Sequence, residues 1–248
     1  MVEDLEVYEL GSSYMTSRSY LVVTDNFEFV EYFSQYFEQT ESNIIFCVPE
    51  NNKSQVLGSH NEGYNFYPCD FLNSKSIQES ISAILNGGNH IDCLINFINN
   101  NELDYFNVDL DDWLQYWNYK VLGSMRFMRE IAQEMMKNGQ GSIINILDIQ
   151  SRFPNLENVV NLSADTAILN LTKATAAEFI ENNIQCNSIS LGNFNFNLLN
   201  ENSLKDMPIN DSGNPKELMS LIDFLANENN RYIIGENINI DGGFSRTL

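Results

Sequence analysis

The sequence is poor in the residues on which metal sites, disulfide scaffolds and phosphate-binding surfaces depend. Only two histidines occur in 248 residues, His60 and His90, both in polar, loop-like stretches. They read as solvated bystanders, and no metal site is expected. The four cysteines, Cys47, Cys69, Cys93 and Cys186, lie far apart, each in or beside an apolar run where a small thiol packs in a strand. That spacing suggests neither a disulfide framework nor a paired-cysteine metal site.

Positive charge is scarce as well. Thirteen Lys and Arg stand against 34 Asp and Glu, for a formal net charge of −21. Such a surface repels phosphate backbones and anionic lipids, so neither nucleic acid nor membrane is expected as a partner, whereas a basic protein would be attracted. No apolar run reaches the roughly 18 residues of a membrane span, and the N-terminal MVEDLEVYELGSS is acidic where a signal peptide would be basic and then apolar. A soluble, cytoplasmic protein is the expectation.

What is present is a regular alternation. The chain is 43% hydrophobic and of a length that suits one α/β domain. SYLVVT, NIIFCV, YNFYPCDF, DCLINFI, SIINIL, IQCNSISL and NINIDGG read as strands, separated by segments with helical spacing. Strand–helix repetition with continuously apolar strands predicts a doubly wound Rossmann-type fold: a mostly parallel, seven-stranded sheet with helices on both faces. Residues 1–17 fall outside the pattern and read as an N-terminal extension to a single domain at 18–248. The polar stretch from Asn193 to Gly213 reads as a long connection at a strand's C-terminal end, where such sheets place ligands.

Several stretches carry a family likeness. NPKELMSLIDFLANENNRYIIGENINIDGGF ends with Asp241, Gly242 and Gly243; CDFLNSKSI lies around Asp70; and DCLIN, GSIINIL and CNSISLG fall between. From about Ser19 to Gly243 the chain resembles the short-chain dehydrogenase/reductase (SDR) family. The resemblance implies NAD(P)-dependent hydride transfer, with a Gly-rich turn for the diphosphate and a Tyr, Lys, Ser and Asn for proton transfer.

At those positions the residues differ. The family's Gly-rich turn is here Thr24, Asp25, Asn26, Phe27, Glu28, Phe29, Val30 and Glu31. A Cβ blocks close backbone approach to a diphosphate and disfavours positive φ, and Asp25 and Glu28 repel it. Phe27 and Phe29 are expected to fill the vacated space. The second glycine motif reads Asn96, Phe97, Ile98, Asn99, so only Asn96 matches. Asp70 matches the family aspartate near the adenine and also suits a helix N-cap. No cofactor is expected: NAD(P) binding reads as lost.

Counting without gaps from the matching stretches puts Asp148 at the family's Ser, Asn161 at its Tyr, Asp165 at its Lys and Lys120 at its Asn. An amide does not titrate, and Asp165 reverses the charge that would lower a phenol's pKa. The leading expectation is therefore a pseudoenzyme: a non-catalytic subunit of an SDR-type oligomer that performs no NAD(P)-dependent hydride transfer. It would form a homo-oligomer, or a hetero-oligomer with an active SDR subunit as in benzylsuccinyl-type dehydrogenases, through helices 111–138 and 159–181. The alternative expectation is a cofactor-independent lyase or dehydratase, isomerase or cyclase using Lys120, Asp148 and Asp165. A small-molecule binding protein is a third.

Overall fold

The computed structural model describes residues 17–38, 40–50, 64–99, 107–153, 158–194, 208–209 and 211–245. Outside them lie His60, residues 1–16 of the expected extension, and residues 195–207 and 210 of the expected ligand loop. The described ends of that loop meet: Gly213 N–H donates to the Asn193 carbonyl at 2.8 Å, beside the Phe194–Gly213 bridge.

The chain alternates strands and helices as β1 (Ser19–Thr24), α1 (Phe27–Phe37), β2 (Asn43–Pro49), β3 (Asn65–Cys69), α2 (Ser74–Asn86) and β4 (Cys93–Phe97). It continues through α3 (Leu110–Trp117), a π turn (Asn118–Leu122), α4 (Gly123–Asn138), β5 (Gly141–Asp148) and a 3-10 turn (Ile149–Arg152). Then come α5 (Val159–Phe179), β6 (Ile184–Leu191), α6 (Pro215–Leu225) and β7 (Asn237–Ile240). The seven strands form one sheet in the order β3-β2-β1-β4-β5-β6-β7, and every pairing is parallel. The order reverses direction between β1 and β4, which creates a crevice at the carboxyl ends of those strands.

Both sheet faces are buried, which is why the strands read as unbroken apolar runs. One core packs α1 (Phe29, Phe33, Phe37) and α6 (Leu218, Ile222) on the sheet; the other packs α2 (Ile77, Ile81) and α4 (Phe127, Ile131) on the opposite side. Alternate residues of β1 serve the two, with Tyr20 and Val22 in the first and Leu21 and Val23 in the second. Short polar residues start the helices: the side chains of Asn26, Asn73, Asp109 and Asn214 each accept a backbone N–H of the first turn. Asn73, not Asp70, caps α2; Asp70 accepts from Leu72 N–H and closes the turn before it.

The closing motif has a packing reason. A Cβ on Gly192 would stand 2.6 Å from Asp241 Cα, so the end of β6 and the residue after β7 approach as only glycine allows. Gly243 has φ +82°, and its N–H is held by the Asp241 carboxylate.

The helix expected at 111–138 is not continuous. At its middle the Gly123 N–H reaches back to the Asn118 carbonyl, five residues earlier, and opens a π turn that contains Lys120. Arg126 braces it, donating to the carbonyls of Asn118 and Phe71 at 3.3 and 3.2 Å and to Asn118 Oδ1 at 2.8 Å.

Candidate active site

The expected site residues converge. Lys120, buried in the π turn, places Nζ 2.6 Å from Asp165 Oδ1 and donates to Asn161 Oδ1 at 2.6 Å. Asp165 Oδ2 accepts the backbone N–H of Asp148 at 3.1 Å, which ties α5 to the end of β5. Burial pushes the Asp165 carboxyl upward, against the opposing pull of Lys120. The Lys120–Asp165 contact is an ion pair in distance, yet Asp165 Oδ1 lacks a well-directed hydrogen bond, so Lys120's aligned donor goes to Asn161.

Asp148 differs from its neighbours in being only partly buried. Its carboxylate accepts Gln150 N–H at 2.8 Å and starts the 3-10 turn. Burial raises its pKa to about 7, further raised by Asp165 and held back by the Gln150 hydrogen bond and Lys120. A carboxyl of this kind exchanges a proton near neutrality.

Two tyrosines complete the cluster, and sequence reasoning missed both. Tyr116 OH donates to Asn161 Oδ1 at 2.6 Å, and Tyr119 OH to Asp25 Oδ2 at 3.1 Å. Burial raises the pKa of each phenol, and nearby aspartates raise it further. A signal for Tyr116 was available: Tyr116 and Lys120 stand four apart, the separation that brings two helical side chains together. Position-by-position matching looked for a Tyr and Lys at 161 and 165; the tyrosine and lysine that meet Asn161 stand instead at 116, on α3, and at 120, in the π turn. Asn96 has a structural role here, donating to Asn145 Oδ1, which passes the network to Thr172 on α5.

The first turn bears on nucleotide binding. Asp25 is buried and accepts Asn99 N–H and Tyr119 OH, and burial raises its pKa. Asn26 Oδ1 accepts Phe29 N–H at 2.8 Å, taking a donor that a diphosphate at the α1 N-terminus would use. Behind them Phe29 packs edge-on against Phe97 with ring centroids 4.7 Å apart, while Phe27 is partly buried against the same core. As folded, these residues do not fit a diphosphate; it reaches α1 only if the Asn26 side chain leaves. Between Asn96, Lys120, Ser124, Asn145 and Ile168, the interior has no room for a water molecule.

Among the described residues, no His, Cys, Asp and Glu group has metal-ligand geometry, and no helix is long and apolar enough to cross a membrane. His90 is exposed and paired with Asp92 at 2.9 Å, and all four cysteines are buried and free.

Comparison with known proteins places the cluster in context. The family model described as Enoyl-(Acyl carrier protein) reductase matches residues 33–245. A 7alpha-hydroxysteroid dehydrogenase from Paraclostridium sordellii is 26% identical over 71% of this chain and 71% of its own length. A 3-oxoacyl-(acyl-carrier-protein) reductase FabG from Vibrio cholerae is 24% identical over 75% of this chain and 79% of its own. Among solved structures, a short-chain type dehydrogenase/reductase from Mycobacterium marinum superimposes with TM-score 0.81 at 19% identity, covering 93% of this chain and 96% of that one. One described as ElxO with NADP bound does so with TM-score 0.76 at 22% identity, covering 92% and 98%.

These findings correct two expectations. A non-catalytic subunit, or a cofactor-independent lyase, isomerase or cyclase, is overturned by relatives named as dehydrogenases and reductases across about three quarters of the chain. With it falls the expectation of no cofactor, since the family match is to a reductase and a structural neighbour is described with NADP bound. The physical reason is that side chains from different helices can meet at one point in space. Missing residues at family positions therefore do not establish a missing reaction.

Proposed function

Because the chain belongs to the short-chain dehydrogenase/reductase family, we propose that it is an oxidoreductase interconverting a hydroxyl and a carbonyl group, with NAD(P)(H) as hydride carrier. The observation that carries this reading is the family match over residues 33–245, joined to a polar cluster at the carboxyl end of β5. The relatives' names, a hydroxysteroid dehydrogenase and an oxoacyl reductase, both point to hydroxyl–carbonyl chemistry.

The nicotinamide would supply the hydride. The chain's own residues would handle the oxygen and its proton. Asp148 holds a proton near neutrality at the partly open end of β5 and gives it to the oxygen as negative charge develops. Lys120 and Asp165 form the buried base of the site, and Asn161 accepts from Lys120 beside them. A diphosphate at the N-terminus of α1 would be held by Phe29 N–H only once Asn26 had released it. We further propose that copies associate through α3, α4 and α5, where Leu110 and Leu114 on α3 and Leu122 in the π turn are exposed.

Calorimetric titration with NADH and NADPH, paired with ketone-reduction assays followed by nicotinamide absorbance, tests the reading. Saturable binding of one nucleotide with turnover is the expected result. The absence of both binding and turnover would refute it.

A further inference from the structure

A cavity of about 190 Å³ lies at the edge of the sheet opposite the crevice, where β1, β4, β5 and β6 begin. We propose that it binds a small alkylammonium ion, held by the Gln185 amide and the Glu228 carboxylate at the carboxyl end of α6.

The walls follow from strand alternation. Ile144 and Ile146 of β5 and Ile189 and Leu191 of β6 belong to the core under α1 and α6, so Ser142 and Gln185 point to that side as well. Ser142 Oγ donates to the Leu225 carbonyl at 3.1 Å and fastens the last turn of α6 to the sheet, with Glu228 just beyond it in the lining. Gln185 is 5% exposed, yet its side-chain amide hydrogen-bonds to no described residue. Nor is that amide among the sealed polar atoms without a partner, which are Ser34 Oγ, Asn96 Oδ1, Ser151 Oγ and Asp165 Oδ1. An amide that is neither paired nor sealed opens on the cavity its residue lines. Buried polar groups as a rule have a partner, so this one marks a place for a ligand atom. A cavity of about 150 Å³ can hold benzene, which gives this one room for a molecule of about six heavy atoms.

The sign of the lining selects a cation. Arg18 is buried, and its Nη1 lies 2.6 Å from Asp223 Oδ1, which offsets the guanidinium. Asp92 accepts Ser19 N–H at 2.8 Å and stands 2.9 Å from the exposed His90 ring. Glu228 is exposed and forms an ion pair with no described residue. With His90 neutral, Asp92, Glu228 and Asp223 outweigh Arg18. The carboxyl end of α6 adds the negative end of its dipole, with no basic residue in its last turn. An alkylammonium has three N–H donors and no acceptor, which suits amide and carboxylate oxygens together. A metal ion fits less well, since no His, Cys, Asp and Glu group among the described residues has metal-ligand geometry. An anion would face Asp92 and Glu228.

The experiment uses the full chain and n-pentylamine as the cation, with n-pentanol as its neutral isostere, pentanoate as an anion and magnesium chloride as a control for charge screening. Side-chain amide signals are followed by nuclear magnetic resonance, and affinities are measured by calorimetry in the wild type, Gln185→Leu and Glu228→Gln. The signal pair lost in Gln185→Leu is expected to shift with n-pentylamine and not with the other three. Each variant should weaken n-pentylamine binding by roughly tenfold, the loss of one hydrogen bond to a charged group. Glu228 is exposed, so Glu228→Gln decides the matter if Gln185→Leu does not fold. The inference is overturned by wild-type affinity in either folded variant, or by no saturable binding of n-pentylamine at millimolar concentration. An equal shift with n-pentanol, pentanoate or magnesium chloride overturns it too.

Discussion

Asp148 couples the site to pH. Its pKa is near 4 in an unfolded chain and about 7 in the fold, so between those values the folded state holds more of the proton. Stability therefore decreases as pH rises through that window and levels off above it. Asp25 and Asp165 are raised too and act in the same direction. The Asp148→Asn variant keeps an oxygen for Gln150 N–H but cannot ionise. It should be more stable than wild type above neutrality by on the order of a few kcal/mol and equal to it below about pH 4. Urea unfolding across pH checks this; a wild type whose stability rises from mild acid to neutrality contradicts it. Asn26 offers a second test at this scale. Asn26→Gly frees Phe29 N–H and lets the backbone approach a ligand, while Gly at an N-cap costs only a few tenths of a kcal/mol. Nucleotide affinity should rise by roughly tenfold, about 1.4 kcal/mol, with little change in melting temperature. Unchanged affinity would mean that the diphosphate does not rest on α1.

Among the elements, the π turn governs the site. Tyr116 and Lys120 meet Asn161 because the turn between α3 and α4 keeps both on one side, and Arg126 pins that turn through the carbonyl and amide oxygens of Asn118. Arg126→Met keeps much of the side-chain volume and removes the donors. It should destabilise the protein by about 1–3 kcal/mol and reduce ketone turnover beyond what that loss explains, since Lys120 and Asn161 lose their register. Denaturant unfolding and kinetics on the same preparation separate the two effects. Helices and strands themselves were legible, because periodicity and short polar caps such as Asn73 and Asn214 are local signals. The π turn was not, because its cause lies in Arg126 and Phe71, which meet it only in the folded chain.

At the scale of the molecule, a formal charge of −21 opposes self-association at low salt, whereas exposed Leu110 and Leu114 on α3 favour it. Sedimentation velocity at tens of micromolar should show an oligomer that strengthens with added salt. Leu114→Lys should shift it toward monomer without lowering the melting temperature by more than a few degrees. An unchanged oligomer would place the contact elsewhere. The sequence by itself determined the strand-and-helix order and the single parallel sheet, because apolar runs and helical spacing state which side chains leave water. Only the tertiary structure decided what those residues do together. A lysine, a tyrosine and an amide on two helices become one site when packing brings them within hydrogen-bonding distance, and no count along the chain contains that distance.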